Sequence, residues 1–411
     1  MILAQNHLQR LSGNRFWCII FICFVLGACS PKTRTNKTPK KDNDKQGSIG
    51  GKSEKKFTQA NIALLVPLNL TASKVTSGSK AELEKSAMAL DFYQGFKMGI
   101  DSAAATTGFN FRLKVLDTKD NNVQITSLIK SGQLSGSELI VGPVFPDGVK
   151  FITNYSIANK VPVVSPLAAT HPNEFNNPNL ISMVNNIDLH AKKIGDFILR
   201  DYDPKKTVVV LISTKSSADE VLGAPLRTYF QDSKAQAYTF QEYASVFALE
   251  KNMVAGKQYV VLLTSSDRQF VINTLDKLAK MKTAGAQLEL FGHPNWLKQN
   301  YNTDKLQLLN TKITSSYRVD YKSQAVTSFV KKYRRLNNLE PDEYAFKGFD
   351  TGLYFGKLFA EHGADYLKYL TQEKYKGLQN SYHFVKDEKL GYINTSLILL
   401  EYKNYALNPV E

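Results

Sequence analysis

From residue 60 onward, short runs of apolar and β-branched residues alternate with longer stretches in which apolar positions recur at helical spacing. Ala60–Leu68 (ANIALLVPL) is apolar almost throughout and predicts a buried strand, with a polar loop over Asn69–Lys85 behind it. A helix over Ala87–Ala105 follows, with Leu90, Phe92, Phe96, Met98 and Ile100 on its buried side. Phe111–Asp117 (FRLKVLD) alternates with period two and predicts a strand, and Gln124–Leu134 predicts a short helix. Glu138–Val141 reads as a buried strand ending in Gly-Pro, Asp147–Asn159 as a helix and Val161–Ser165 as another strand. Leu180–Asn185 (LISMVN) then leads away from this first group.

The alternation starts again at a helix over Leu189–Arg200. A strand at Thr207–Ser213, a helix at Asp219–Gln231, strands at Ala237–Tyr243 and Tyr259–Thr264, a helix at Arg268–Met281 and a strand at Leu288–Gly292 repeat the scheme. Helices at Gln324–Leu336 and Tyr344–His362 come next, and Tyr382–Val385 and Thr395–Tyr402 read as a pair of late strands. Strands separated by helices mark βαβ units and a parallel sheet. About 350 residues in two such series exceed what one core serves, so the expected class is α/β with two doubly wound parallel-sheet lobes. Sheets of this kind bind ligands beyond the carboxyl ends of their strands, so the residues following each strand are the ones to question.

The first sixty residues change the picture of where the protein works. A basic start (Arg10, Arg15) precedes the apolar run Phe16–Leu26, and Gly27-Ala28 precede Cys29. The run is too short to span a bilayer and has the layout of a secretion signal over 1–28. Leu26–Cys29 (LGAC) resembles the bacterial lipobox, which implies that Cys29 is the lipidated first residue of the mature chain. All three cysteines, Cys18, Cys23 and Cys29, fall in this stretch, so the rest of the chain has no thiol for a disulfide, a metal site or a nucleophile. Residues 29–57 are rich in Lys, Thr, Ser and Gly, and predict a disordered basic tether. Residues 1–56 hold 11 Lys and Arg against 3 Asp and Glu, so about half of the net charge of +15 sits outside the folded part. That distribution suits a membrane or wall surface and argues against nucleic acid as a partner.

The order of elements and several local sequences resemble the type I periplasmic binding-protein superfamily, its branched-chain amino-acid receptor branch in particular. Asp91–Ala103 (DFYQGFKMGIDSA) is similar to the family's first helix, Glu138–Pro146 (ELIVGPVFP) to its third strand and ligand loop, and Val161–Thr170 (VPVVSPLAAT) to its fourth strand and loop. Glu343–Gly363 resembles the helix through which the chain rejoins the first lobe, and 375–404 resembles the closing hairpin. The resemblance implies two lobes joined by a hinge, lobe 1 from 58–178 and 316–375 and lobe 2 from 179–315 and 376–411. The chain would cross between them near 177–184, 315–319 and 369–378.

On that resemblance, the ligand cradle comprises Ala168 and Thr170, with Ser165 and Ala169 nearby, because small residues expose N–H groups and Thr adds a hydroxyl, all donors suited to an anion. Phe145 and Pro146 stand where amino-acid receptors tend to offer a Ser, and Leu290–Trp296 (LFGHPNW) stands where they place a carboxylate for the ligand ammonium. Without that carboxylate a zwitterion would leave a charge unpaired, so the expected ligand is anionic or neutral with an apolar or ring portion, not a plain amino acid. His293 and Trp296 are candidates for the cleft wall, the Trp as a stacking plate or as a core residue. His171 is either an anion partner or a surface loop residue. Ser265, Ser266 and Asp267, and Ser216, Ser217, Asp219 and Glu220, either face the ligand or cap helices.

For catalysis the chain offers little: its six His show no metal-ligand spacing, and no HExxH, Gly-x-Ser-x-Gly, Walker or dinucleotide glycine motif occurs. The expectation is a non-enzyme without cofactor or metal. Two functions remain open. One is a lipid-anchored solute-binding receptor, of the kind that serves ABC transport of amino acids and related ligands, facing the periplasm from the outer membrane. The other is a lipoprotein of the same fold that docks on and regulates a cell-wall synthase, as activators of penicillin-binding proteins do.

Overall fold

The structure, a computed structural model, describes residues 57–69 and 79–410. The expected signal peptide, Cys29 and nearly all of the tether lie outside the described residues.

Two seven-stranded sheets organise the described residues. The first contains β1 (Gln59–Val66), β2 (Asn110–Asp117), β3 (Leu139–Val141), β4 (Val163–Ser165), β5 (Leu180–Ser182), β13 (Phe384–Asp387) and β14 (Gly391–Asn394), in the order β13-β14-β5-β4-β3-β1-β2. The second contains β6 (Thr207–Ile212), β7 (Thr239–Tyr243), β8 (Gln258–Leu263), β9 (Gln287–Phe291), β10 (Lys312–Ser315), β15 (Ile398–Lys403) and β16 (Ala406–Pro409), in the order β16-β15-β10-β9-β8-β6-β7. The first five strands of each sheet run parallel and share one spatial order, 2-1-3-4-5. Their central members, such as TVVVLI in β6 and YVVLL in β8, are buried on both faces, which is why they read as unbroken apolar runs. A two-residue ladder, β11 (Tyr375–Lys376) with β12 (Ser381–Tyr382), stands apart.

The first lobe carries α1 (Lys80–Thr107), α2 (Asn122–Lys130), α3 (Pro146–Asn159), α9 (Gln324–Asn337) and α10 (Glu343–His362). The second carries α4 (Ile187–Asp201), α5 (Ser217–Gln231), α6 (Val246–Asn252), α7 (Arg268–Thr283) and α8 (Thr303–Leu308). Helix α1 starts seven residues earlier than its apolar pattern predicts, because Ser79 and Glu82 form a reciprocal capping box in a polar stretch. Phe92, Phe96, Met98 and Ile100 are buried as expected, whereas Leu90 is exposed and leaves the predicted stripe.

Three expectations are corrected by the strand pairing. Leu180–Ser182 pairs with β4 and belongs to the first sheet, so lobe 1 extends past residue 178. The hairpin β13–β14 also belongs to the first sheet, through the parallel pairing of β14 with β5, so 376–394 is not part of lobe 2. The two late segments are therefore not partners: β13 pairs with β14, while β15 pairs with β10 and β16. The chain crosses between lobes at 183–186, 316–319 and 395–397, and the third of these lies about twenty residues beyond the expected one. Short crossings brought close together are what a hinge requires.

Candidate functional site

The crossings are tied mainly by side chains, with one backbone bridge between Tyr317 and Asn380. Asn394 donates from Nδ2 to the Met183 carbonyl at 2.9 Å and accepts at Oδ1 from the amides of His383 and Ser396. Asn185 returns the contact, donating to the Asn394 carbonyl at 2.7 Å. Ser315 Oγ donates to the Tyr317 carbonyl at 2.6 Å, and Arg318 donates to the Gln379 carbonyl. Asp350, fully buried in α10, accepts from the amides of Leu378, Gln379 and Asn380 at 2.7 to 2.9 Å and from Asn380 Nδ2 at 3.0 Å. Burial pushes this carboxyl above its ordinary range, against the opposing pull of the four donors.

Between the lobes, at the carboxyl ends of β4, β5, β9 and β10, lies a cavity of about 230 Å³. Lobe 1 contributes Leu167, Ala169, Lys347 and Asn380, and lobe 2 contributes His190, Pro294, Asn295, Leu297, Lys298 and Thr314. The crossings add Met183, Asn185, Ser316 and Tyr317. Larger grooves of about 740 and 630 Å³ lie on the outer faces, between α2 and α3 and between α4 and α5. They are furrows between surface helices, whereas the smaller cavity is where strand ends from both sheets and polar groups converge, the usual location of a ligand in this architecture.

One ionic cluster joins the walls. Glu343 at the start of α10 accepts from Lys298 of lobe 2 at 3.1 Å and pairs with Lys347, one turn along its own helix, at 3.3 Å. Burial alone would push the Glu343 carboxyl up, but Lys347, Lys298 and the Tyr317 hydroxyl hold it at about 2. The Lys347 ammonium lies 4.7 Å from the Tyr317 ring centre and 5.2 Å from that of Tyr344, and burial lowers its pKa. Deeper in, His190 Nδ1 meets Thr314 Oγ1 at 2.9 Å. Burial, with His293 nearby, lowers His190 to about 4, so it is neutral at pH 7. His293 is lowered to about 4 by burial against the opposing pull of Asp219.

Of the expected site residues only Ala169 lines this cavity. Trp296 is a core side chain: it is fully buried, donates from Nε1 to the Ser265 carbonyl at 2.9 Å and packs over Gly292, where a Cβ would stand 2.3 Å from the indole. It is not a stacking plate. His293 caps the turn Pro294–Lys298, accepting from Asn295, and Ser265 Oγ accepts from the Asp267 amide. Asp267 and Ser216 cap α7 and α5. Ser165 is buried with its hydroxyl unpartnered, and Ala168 is buried behind the half-exposed Thr170. Phe145 and Pro146 begin α3 beside a separate cavity of about 160 Å³ within lobe 1, and Phe145 lies under the Lys85 ammonium at 5.0 Å. His171 sits 3.5 Å from Asp188, a carboxylate neighbour rather than an anion site.

Sequence reasoning missed Lys298, Glu343, Lys347, His190 and Asn185. Lys347 had a signal, a lysine inside the apolar run AFKGF with an acid one turn before it. The others follow no motif: Asn185 sits on a crossing, Lys298 on a turn, and His190 and Glu343 in the first turns of helices that the sequence shows only as helices. For metals, the described residues bring together Glu361, His362 and Glu373, with His362 Nε2 2.6 Å from Glu373. They lie at the far end of α10 from the cleft, and an imidazole–carboxylate hydrogen bond accounts for their approach.

Solved structures share this architecture. A branched-chain amino-acid ABC transporter protein of Rhodospirillum rubrum, described as putative, superposes with a TM-score of 0.63 at 13% identity, over 86% of this chain and all of that one. An ABC transporter substrate-binding protein of Desulfitobacterium hafniense, solved with Leu, gives 0.53 at 13% identity over the same shares. The C-domain of LpoA from Haemophilus influenzae, a regulator of PBP1A, gives 0.55 at 15% identity, over 86% of this chain and all of the domain. The chain has the type I periplasmic binding-protein fold. No protein-family model matches the chain, and no curated protein matches it. Among the described residues no helix is long and apolar enough to cross a membrane.

Proposed function

We propose that the protein is a non-catalytic, lipid-anchored binding protein of the cell envelope that closes its two lobes on a small ligand facing the periplasm. The observation that carries the reading is the cavity at the convergence of strand ends from both lobes, lined by two lysines and a set of amides and hydroxyls. None of its lining residues is a carboxylate and Glu343 beside it is already engaged by Lys298 and Lys347, so a plain zwitterion would find no free partner for its ammonium. The neighbours that bind solutes support the first part, and the LGAC tetrad before Cys29 supports the anchor. A thermal-shift screen of the full-length chain in detergent tests the reading. A ligand at a hundredfold over its dissociation constant adds about 2.7 kcal/mol of stability.

A second reading, docking on a cell-wall synthase, is favoured by one observation. The lobes are already bridged by the chain's own Lys298–Glu343 pair, which holds them together without a ligand. The likeness to the LpoA domain makes that reading concrete. No stabilisation by any solute, together with capture of a synthase, would move the assignment there.

A further inference from the structure

The cleft holds an ammonium pair at its rim, with Lys347 buried and Lys298 open to water, and an unmet acceptor in its wall. At its rim Lys298 and Lys347 share a single carboxylate, Glu343, although each ammonium carries three donors. In its wall Asn185 is 2% exposed, and its Nδ2 is committed to the Asn394 carbonyl, which fixes the other amide atom as the oxygen. That Oδ1 has no hydrogen-bond partner. A buried acceptor left unpaired is destabilising, and a ligand that brings a donor relieves it. The cavity, about 230 Å³, suits a small occupant.

We propose, resting on the receptor reading, that the ligand is a small organic anion that also carries a hydroxyl or N–H donor. Its anionic group joins Glu343 on Lys347 and Lys298, taking donors that the carboxylate leaves open, and its donor meets Asn185 Oδ1. Glu343 is then a built-in competitor for the two ammonium groups. A carboxylate or a phosphate would serve equally, and an added ammonium would be repelled by the two lysines.

Calorimetry on the full-length chain with five probes separates these demands: glycerate, glycerol 3-phosphate, propionate without the hydroxyls, glycerol without the charge, and serine with an ammonium. Glycerate or glycerol 3-phosphate is expected to bind at least tenfold tighter than the other three, and which of the two wins identifies the anion. Lys347→Gln should cost that anion roughly tenfold to a hundredfold in affinity while leaving glycerol unchanged. Glu343→Gln, which removes the competitor, should tighten it, and the melting curve of each variant shows that it is folded. Glycerol or serine binding as tightly as glycerate, or anion affinity indifferent to Lys347→Gln, overturns the ligand class while leaving a receptor in place. Binding of none of the five at millimolar concentration also overturns the class. The receptor reading itself falls only with the solute screen.

Discussion

Asp350 shows how much one side chain can hold. It sits fully buried in α10 and gathers four donors from 378–380 just before the return to the sheet, and Gly377 packs so close that a Cβ there would stand 2.3 Å from its carboxylate. Asp350→Ala leaves buried amides unsatisfied and is expected to destabilise by about 3 to 5 kcal/mol, read by urea unfolding. A milder loss would show that the segment re-solvates its own amides. His190 and His293 make a second residue-scale prediction. Both are depressed from 6.5 to about 4, so the folded state binds fewer protons than the unfolded state between those values. Their contribution is complete above pH 6.5 and is lost as the pH falls toward 4. One such shift is worth on the order of 3 kcal/mol. Stability measured from pH 7 to pH 4 should fall, and His190→Gln should flatten the fall; an unchanged slope would contradict the burial argument. Neither histidine was legible as a buried neutral group, because a single sequence does not say which face of a helix at His190, or which side of a turn at His293, meets the core. The same limit hid Trp296, whose neighbours Gly292, His293 and Pro294 read equally well as a ligand loop.

Helices α1 and α10 meet through glycines rather than through interlocking side chains. A Cβ on Gly348 would stand 2.1 Å from the Phe92 carbonyl oxygen, one on Gly352 2.3 Å from that of Phe96, and one on Gly95 1.9 Å from that of Ala345. The backbones therefore touch, and Gly348→Ala is expected to cost about 1 to 3 kcal/mol or more, since backbone cannot yield as a side chain does. A melting temperature equal to that of the unaltered chain would refute the close crossing. Most elements were legible because their periodicity is local: β6, β8 and the apolar face of α10 are fixed by residues within one window. Strand β10 (KITS) was not, because four residues with one long apolar side chain carry no pattern. The late hairpin was legible as strands but not as to sheet, since pairing of β14 with β5 joins residues about two hundred apart. Lobe boundaries inherited that error, and the site inherited it in turn, because Asn185 and Asn394 meet only once β5 and β14 are neighbours.

For the whole molecule the question is what holds the lobes against each other. Lys298–Glu343 ties the rim, with His171 and Asp188 meeting across the lobes as well, and Glu343 keeps its charge down to about pH 2. Its contribution is present above the ordinary carboxylate range and is lost only as the pH falls toward 2. Mild acidification therefore leaves the tie in place, and losses between pH 7 and 5 belong to the histidines. Glu343→Gln is expected to loosen the empty cleft, seen as faster amide exchange at 316–319 and 395–397, with little effect on the two lobe cores. The most direct test of lobe closure on a small anion is hydrogen-exchange mass spectrometry of the full-length chain with and without glycerate or glycerol 3-phosphate. Simultaneous protection of 294–298 on one lobe and 343–347 on the other, together with the three crossings, is the predicted result. Exchange unchanged at both rims on adding either anion at saturating concentration would contradict it.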